Sequence, residues 1–121
     1  MTDKEYKATK VRIQKMLKKW RPAGFGWFHI SYSYEREHDE NPKLAAKCDV
    51  DWQYKSAHIT FFAPVMSELD DERLENTVVH ELCHVLISPI QDFSDENTRQ
   101  MTEYTTSLVA DSLIWASKFV K

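Results

Sequence analysis

The stretch VVHELCHVL, residues 78–86, constrains this chain of 121 residues more than any other. Val78, Val79, Leu82, Cys83, Val85, Leu86 and Ile87 make a helix in this register apolar nearly all round, the mark of a buried helix rather than one with a wet side. His80, Glu81 and His84 interrupt it, and inside such a helix each is costly to desolvate unless paired or ligated. On a helix, residues four apart stand one above the other with Cβ atoms about 5–6 Å apart. His80 and His84 therefore point the same way, and two imidazoles so spaced can meet one tetrahedral cation at about 2.0–2.1 Å each. Glu81 lies about 100° further round, beside such an ion rather than on it, where a carboxylate can take a proton from water. Cys83 faces away from both imidazoles and reads as a core residue.

Two protein ligands are too few for a catalytic zinc, which usually takes three and a water. His84 is the last histidine of the chain, which excludes a third histidine downstream, and the downstream carboxylates are Asp92, Asp95, Glu96, Glu103 and Asp111. Asp92 belongs to a connecting loop, and Asp95 and Glu96 suit the start of the next helix, where a negative charge favours the dipole. Glu103 lies about two turns into that helix, and a connection over 88–94 is long enough to fold the two helices antiparallel. The expected site is thus His80, His84 and Glu103 as ligands of one zinc, with Glu81 as general base.

The rest of the pattern predicts an α+β domain. Tyr6, Thr9 or Lys10, Ile13, Leu17 and Trp20 recur at helical spacing behind Asp3 as cap, giving a first helix over 4–20 that RPAGFG at 21–26 breaks. WFHISYSY (27–34), CDVDWQY (48–54) and SAHITFFAPV (56–65) alternate or are rich in aromatic and β-branched residues, and read as three strands of a mostly antiparallel sheet. Asp70, Asp71 and Glu72 start the helix of the quoted stretch, which Pro89 stops after Ser88. A last helix begins at Ser94 or Asp95 and carries Met101, Tyr104, Leu108, Trp115 and Phe119 down one side, so that Tyr104 reads as core. An apolar share of 42% with four Trp, five Tyr and six Phe supplies one compact core and not two, so residues 1–121 are expected to form a single domain.

Charge is unevenly placed. Residues 1–21 carry eight Lys/Arg against two acids, a net +6, leaving eight against seventeen, or −9, for the remainder. The preferred reading is a solvated basic face drawn to the acidic body, with a nucleic-acid patch as the alternative. Two cysteines are too few for a disulfide framework and point to a reducing compartment, hence the cytoplasm. The sequence offers neither the apolar run of a signal peptide at its start nor 18 uncharged apolar residues in a row, so no membrane partner is expected.

An HExxH helix followed some twenty residues later by a Glu on a second helix resembles the gluzincin metallopeptidases, the clan of thermolysin. With a strand HITFFAP just before that helix and so short a chain, the sequence looks most like the minigluzincins, over roughly residues 57–108. The resemblance implies a small zincin-like fold of N-terminal helix, sheet, active-site helix and ligand helix. It implies His80, His84 and Glu103 as zinc ligands, Glu81 as general base and acid, strand 57–63 as the edge along which a peptide substrate lies, and a form that is latent when a terminal segment covers the cleft. One departure stands out: thermolysin-like enzymes place an Asp four residues after the ligand Glu to orient the first His, and here that position is Ser107. His58 or Tyr104 is the candidate to stabilise the oxyanion. The rival readings are a non-catalytic zinc-stabilised binding module, which gives Glu81 no purpose, and a narrowly specific protease associated with nucleic acid.

Overall fold

The computed structural model describes residues 1–21, 29–51, 54–87 and 96–119. Its elements are α1 (Asp3–Trp20), β1 (His29–Glu35), β2 (Ala46–Asp51), β3 (Ser56–Phe62), a short α2 (Ala63–Met66), α3 (Asp71–Ile87) and α4 (Glu96–Ser117). This is the expected α+β order with α2 added. The expected break at 21–26 beyond Arg21, the strand positions at 27–28 and 52–53, the stop at 88–89, and Asp92, Ser94 and Asp95 lie outside the described residues.

α1 starts one residue earlier than expected. The Thr2 hydroxyl accepts the Glu5 amide at 3.1 Å while Glu5 Oε2 accepts the Thr2 amide at 2.9 Å, a reciprocal cap that leaves Asp3 in the first turn. Thr9, Ile13, Leu17 and Trp20 turn inward. The Trp20 indole donates to Glu75 Oε2 at 2.8 Å, Lys19 pairs with the same carboxylate at 2.7 Å, and Arg12 pairs with Asp71 at 3.1 Å. Part of the basic helix is therefore engaged with acids of α3.

The sheet has the order β1-β3-β2, with β1 parallel and β2 antiparallel to β3. It is mixed rather than mostly antiparallel. β3 is its most buried strand because it is paired on both sides, and its apolar run reads accordingly. The register aligns Ile30 with Ala57, Tyr32 with Ile59 and Tyr34 with Phe61, and on the other side Val50 with Ala57, Cys48 with Ile59 and Ala46 with Phe61. These nine form the face toward the helices. The opposite face carries Ser31, Ser33, His58, Asp49 and Lys47 by the same alternation.

Pro64 ends β3 as expected, but the chain turns directly into α2, whose first turn tolerates the missing N–H of proline. Met66 is carried from there into the core. Asp70 Oδ1 accepts the Arg73 amide at 2.8 Å, capping α3 where the sequence placed its start. One cluster of buried side chains joins Ile13 and Leu17 of α1, Ile59 and Phe61 of β3, Met66 of α2, Leu74, Val78 and Leu82 of α3, and Ala110 of α4. No described helix is long and apolar enough to cross a membrane.

α4 departs most from expectation. Met101, Tyr104, Leu108, Trp115 and Phe119 are exposed, and Thr102, Thr106 and Ala110 face inward instead. Small side chains let α4 approach α3 closely, and the Thr106 hydroxyl is satisfied within its own helix by the Thr102 carbonyl at 2.7 Å. The reading of Tyr104 as core is thereby corrected.

Candidate metal centre

α3 supplies two imidazoles one turn apart, their ring centroids 4.9 Å from each other and their planes at 79°. α4 runs antiparallel to α3, since Asn76 meets Asp111 at 2.8 Å, His80 meets Ser107 and Glu103, and His84 meets Glu103. Glu103 Oε2 lies 3.3 Å from His80 Nε2 and Glu103 Oε1 3.1 Å from His84 Nε2. Donors bound to one tetrahedral ion at about 2.0–2.1 Å are separated by about 3.3 Å, so the spacing of these atoms suits a cation between them. Glu81 approaches from α3 itself: His80, Glu81 and His84 each place one donor atom within 4.8 Å of the others, a group that could hold a metal ion. Two carboxylates thus reach the same pair of imidazoles, one from each helix.

Burial decides how the groups ionise. Glu81 is 7% exposed and its carboxyl is pushed up to about 8, by desolvation first and by the charge of Glu103 second. His80 is shifted below the ordinary imidazole value, again by burial first, with the neighbouring His84 adding to it. A neutral imidazole is the form that ligates, and burial favours it. Glu103 keeps about half of its side chain in water. The Ser107 hydroxyl stands 3.5 Å from His80 Nδ1, the nitrogen turned away from Glu103.

His80, Glu81, His84 and Glu103 line a cleft of about 500 Å³. Leu44, Ala46, Lys47 and Cys48 form one wall, and Arg99, one helical turn before Glu103, belongs to the other. Side chains of a strand alternate between faces, so three successive residues of β2 bordering one cleft means that the strand turns its main-chain edge toward it. The strand order bears this out: β2 is at the edge of the sheet, and β3 is in the middle with both sides paired. The expectation that strand 57–63 offers the edge for a peptide is overturned on that ground, and of the two edge strands it is Ala46–Asp51 that borders the cleft.

Neither oxyanion candidate reaches the cleft. His58 lies on the far face of the sheet, where the Ser31 and Ser33 hydroxyls stand 2.7 and 2.8 Å from its two ring nitrogens, and Tyr104 points to solvent. Cys83 is fully buried in the core, as its position predicts, and its thiol is pushed up to about 12 by burial. Sequence reasoning read a strand near β2 but missed that β2 and Arg99 border the site. The four-residue spacing of Arg99 and Glu103 was a usable signal; the pairing of β2 was not readable from its own residues.

A comparison with known protein families finds a match to the SprT-like family over residues 13–99. No curated protein matches the chain, and no solved structure does. The matched span includes the second part of α1 from Ile13, the described strands and the whole of α3 with His80, Glu81 and His84, and it stops four residues before Glu103. With well over half of its length and the histidine-bearing helix inside the match, this chain belongs to the SprT-like family.

Proposed function

We infer that the protein is a zinc-dependent endopeptidase of the minigluzincin type, with one zinc per chain held by His80, His84 and Glu103. The observation that carries this reading is the division of labour between two carboxylates: Glu103 within 3.1–3.3 Å of both imidazoles, and Glu81 buried beside them. A purely structural site usually takes four protein ligands and gains nothing from an adjacent buried carboxylate. Zinc, when bound, supplies Lewis-acid polarisation of a carbonyl and acidification of water.

The remaining work falls to the chain. Glu81 accepts the proton of the attacking water and passes it to the leaving amine, a role that needs a base held close but outside the ligand set. An extended peptide pairs with the open edge of β2 through main-chain hydrogen bonds, so part of its binding is blind to sequence. Arg99 places a cation on the opposite wall, where a carbonyl or carboxylate of the bound peptide would meet it. Engagement of Arg12 and Lys19 with α3 supports the basic helix as a solvated face rather than a nucleic-acid patch.

The test compares wild type with Glu81→Gln for zinc content and cleavage of unfolded casein. Loss of activity by a factor of about 10²–10⁴ with zinc retained is the expected result. Equal cleavage by both proteins overturns the role of Glu81, and zinc without cleavage by the wild type returns the binding-module reading.

A further inference from the structure

The outer side of α4 carries a second apolar surface that the site does not use. Met101, Tyr104, Leu108, Trp115 and Phe119 are between 49% and 70% exposed. At 100° per residue and 1.5 Å of rise the first four fall in one narrow stripe about 21 Å long, which Phe119 extends from the turn after α4. It runs down the side of α4 opposite Thr102, Thr106 and Ala110, so no rotation of the helix buries both. Trp115 and Phe119 already pack edge to face, centroids 5.3 Å apart, and present one aromatic block at the end of the stripe. Beside it, Leu108, Val109, Ser112, Leu113 and Ala116 line a shallow apolar groove of about 420 Å³.

We propose that this stripe is the interface of a homodimer, in which α4 packs antiparallel against α4 of a second copy. The pattern of the stripe is self-complementary. A two-fold axis at the level of Ala110 sets Tyr104 opposite Ala116, Trp115 opposite Thr105, Leu108 opposite Ser112 and Met101 opposite Phe119, so that each large side chain but the terminal pair meets a small one. Tyr104 and Leu108 of one copy then descend into the groove of the other. The area is sufficient: aromatic side chains of about 150–250 Å² each, two-thirds in water, with Met101 and Leu108 give roughly 500–700 Å² per chain. Two copies together bury roughly 1,000–1,400 Å², which reaches the low end of specific interfaces. Glu103 lies more than a quarter-turn around α4 from the stripe, so both clefts stay open in the dimer.

Sedimentation velocity of the full chain, from low micromolar to several hundred micromolar, tests the proposal. The expected result is a reversible monomer–dimer equilibrium. Leu108→Glu with Trp115→Glu should leave only monomer across that range, and so should Ser112→Arg, which fills the seam without removing an apolar side chain. Val11→Glu, at an exposed apolar position of α1, should leave the equilibrium unchanged. Far-UV circular dichroism identical to wild type verifies that the variants fold. A wild type that stays monomeric throughout overturns the proposal, whether or not it binds lipid vesicles instead, and so does a dimer that survives both seam variants.

Discussion

α3 and α4 both bring side chains to the same centre, yet they are built in opposite ways. α3 is surrounded: Leu74, Val78, Val79, Leu82, Cys83 and Val85 are buried, and two of its three site residues are buried with them. α4 fully buries only Thr102, Thr106 and Ala110 among its described residues, packs Val109, Leu113 and Ile114 partly against the core, keeps Met101, Tyr104, Leu108 and Trp115 outside, and leaves Glu103 half in water. The position of α3 is set by packing, whereas α4 is set against it by small side chains and a few polar contacts, Asn76 with Asp111 and Ser107 with His80 among them. It follows that a change on α3 should cost the fold, and a change on α4 should cost the ion.

The largest expected effect separates the two helices by stability. Leu82→Ala should destabilise by about 2–5 kcal/mol, because it opens a cavity in the cluster that joins all layers. Leu108→Ala, at concentrations where the chain is monomeric, should stay within about 0.5 kcal/mol. Denaturant unfolding measures both, and equal losses would abolish the contrast. Next comes metal affinity: Glu103→Ala should weaken zinc binding by more than the ~10–100-fold typical of groups that only orient a ligand, and Ser107→Ala by no more than that. Competition with a chromogenic chelator gives the two constants, and similar values would place the third ligand elsewhere.

A smaller effect concerns Glu81 in protein stripped of metal. Its folded-state carboxyl, near 8, lies above the unfolded value of 4.5. The stability it contributes is therefore fully present below pH 4.5 and is lost as pH rises through 8. Glu81→Gln has no such loss, so the gap in thermal midpoint between variant and wild type should widen from pH 5 to pH 8. A gap independent of pH would mean that Glu81 ionises in the fold as freely as in water.

His80, Glu81 and His84 were readable from sequence because a helix converts spacing directly into direction, and because polar residues amid continuous apolar ones need a partner. Glu103 was singled out by elimination among the downstream carboxylates, and the structure places it against both imidazoles. The partner of the peptide edge was not. β3 carries the more strand-like residues and precedes α3 in the chain with only α2 between, but strand order depends on pairing between distant segments, and it leaves β3 in the middle and the more polar β2 open beside the cleft. α4 misled for a related reason. Its large apolar residues form the cleaner periodic stripe, yet the close approach to α3 selects the threonines and Ala110 for the inside, a choice that only the neighbouring helix dictates.

The 3.5 Å between the Ser107 hydroxyl and His80 Nδ1 has a bearing on time as well as on geometry. A carboxylate in that place makes the ligating imidazole more basic and locks its ring, and conserved partners of that kind slow the departure of the metal. A neutral hydroxyl at the limit of hydrogen-bond reach does neither. With Glu103 also half in water, an ion at this site would be held less firmly. If the chain holds zinc as proposed, its loaded fraction would then follow the free zinc of the surroundings.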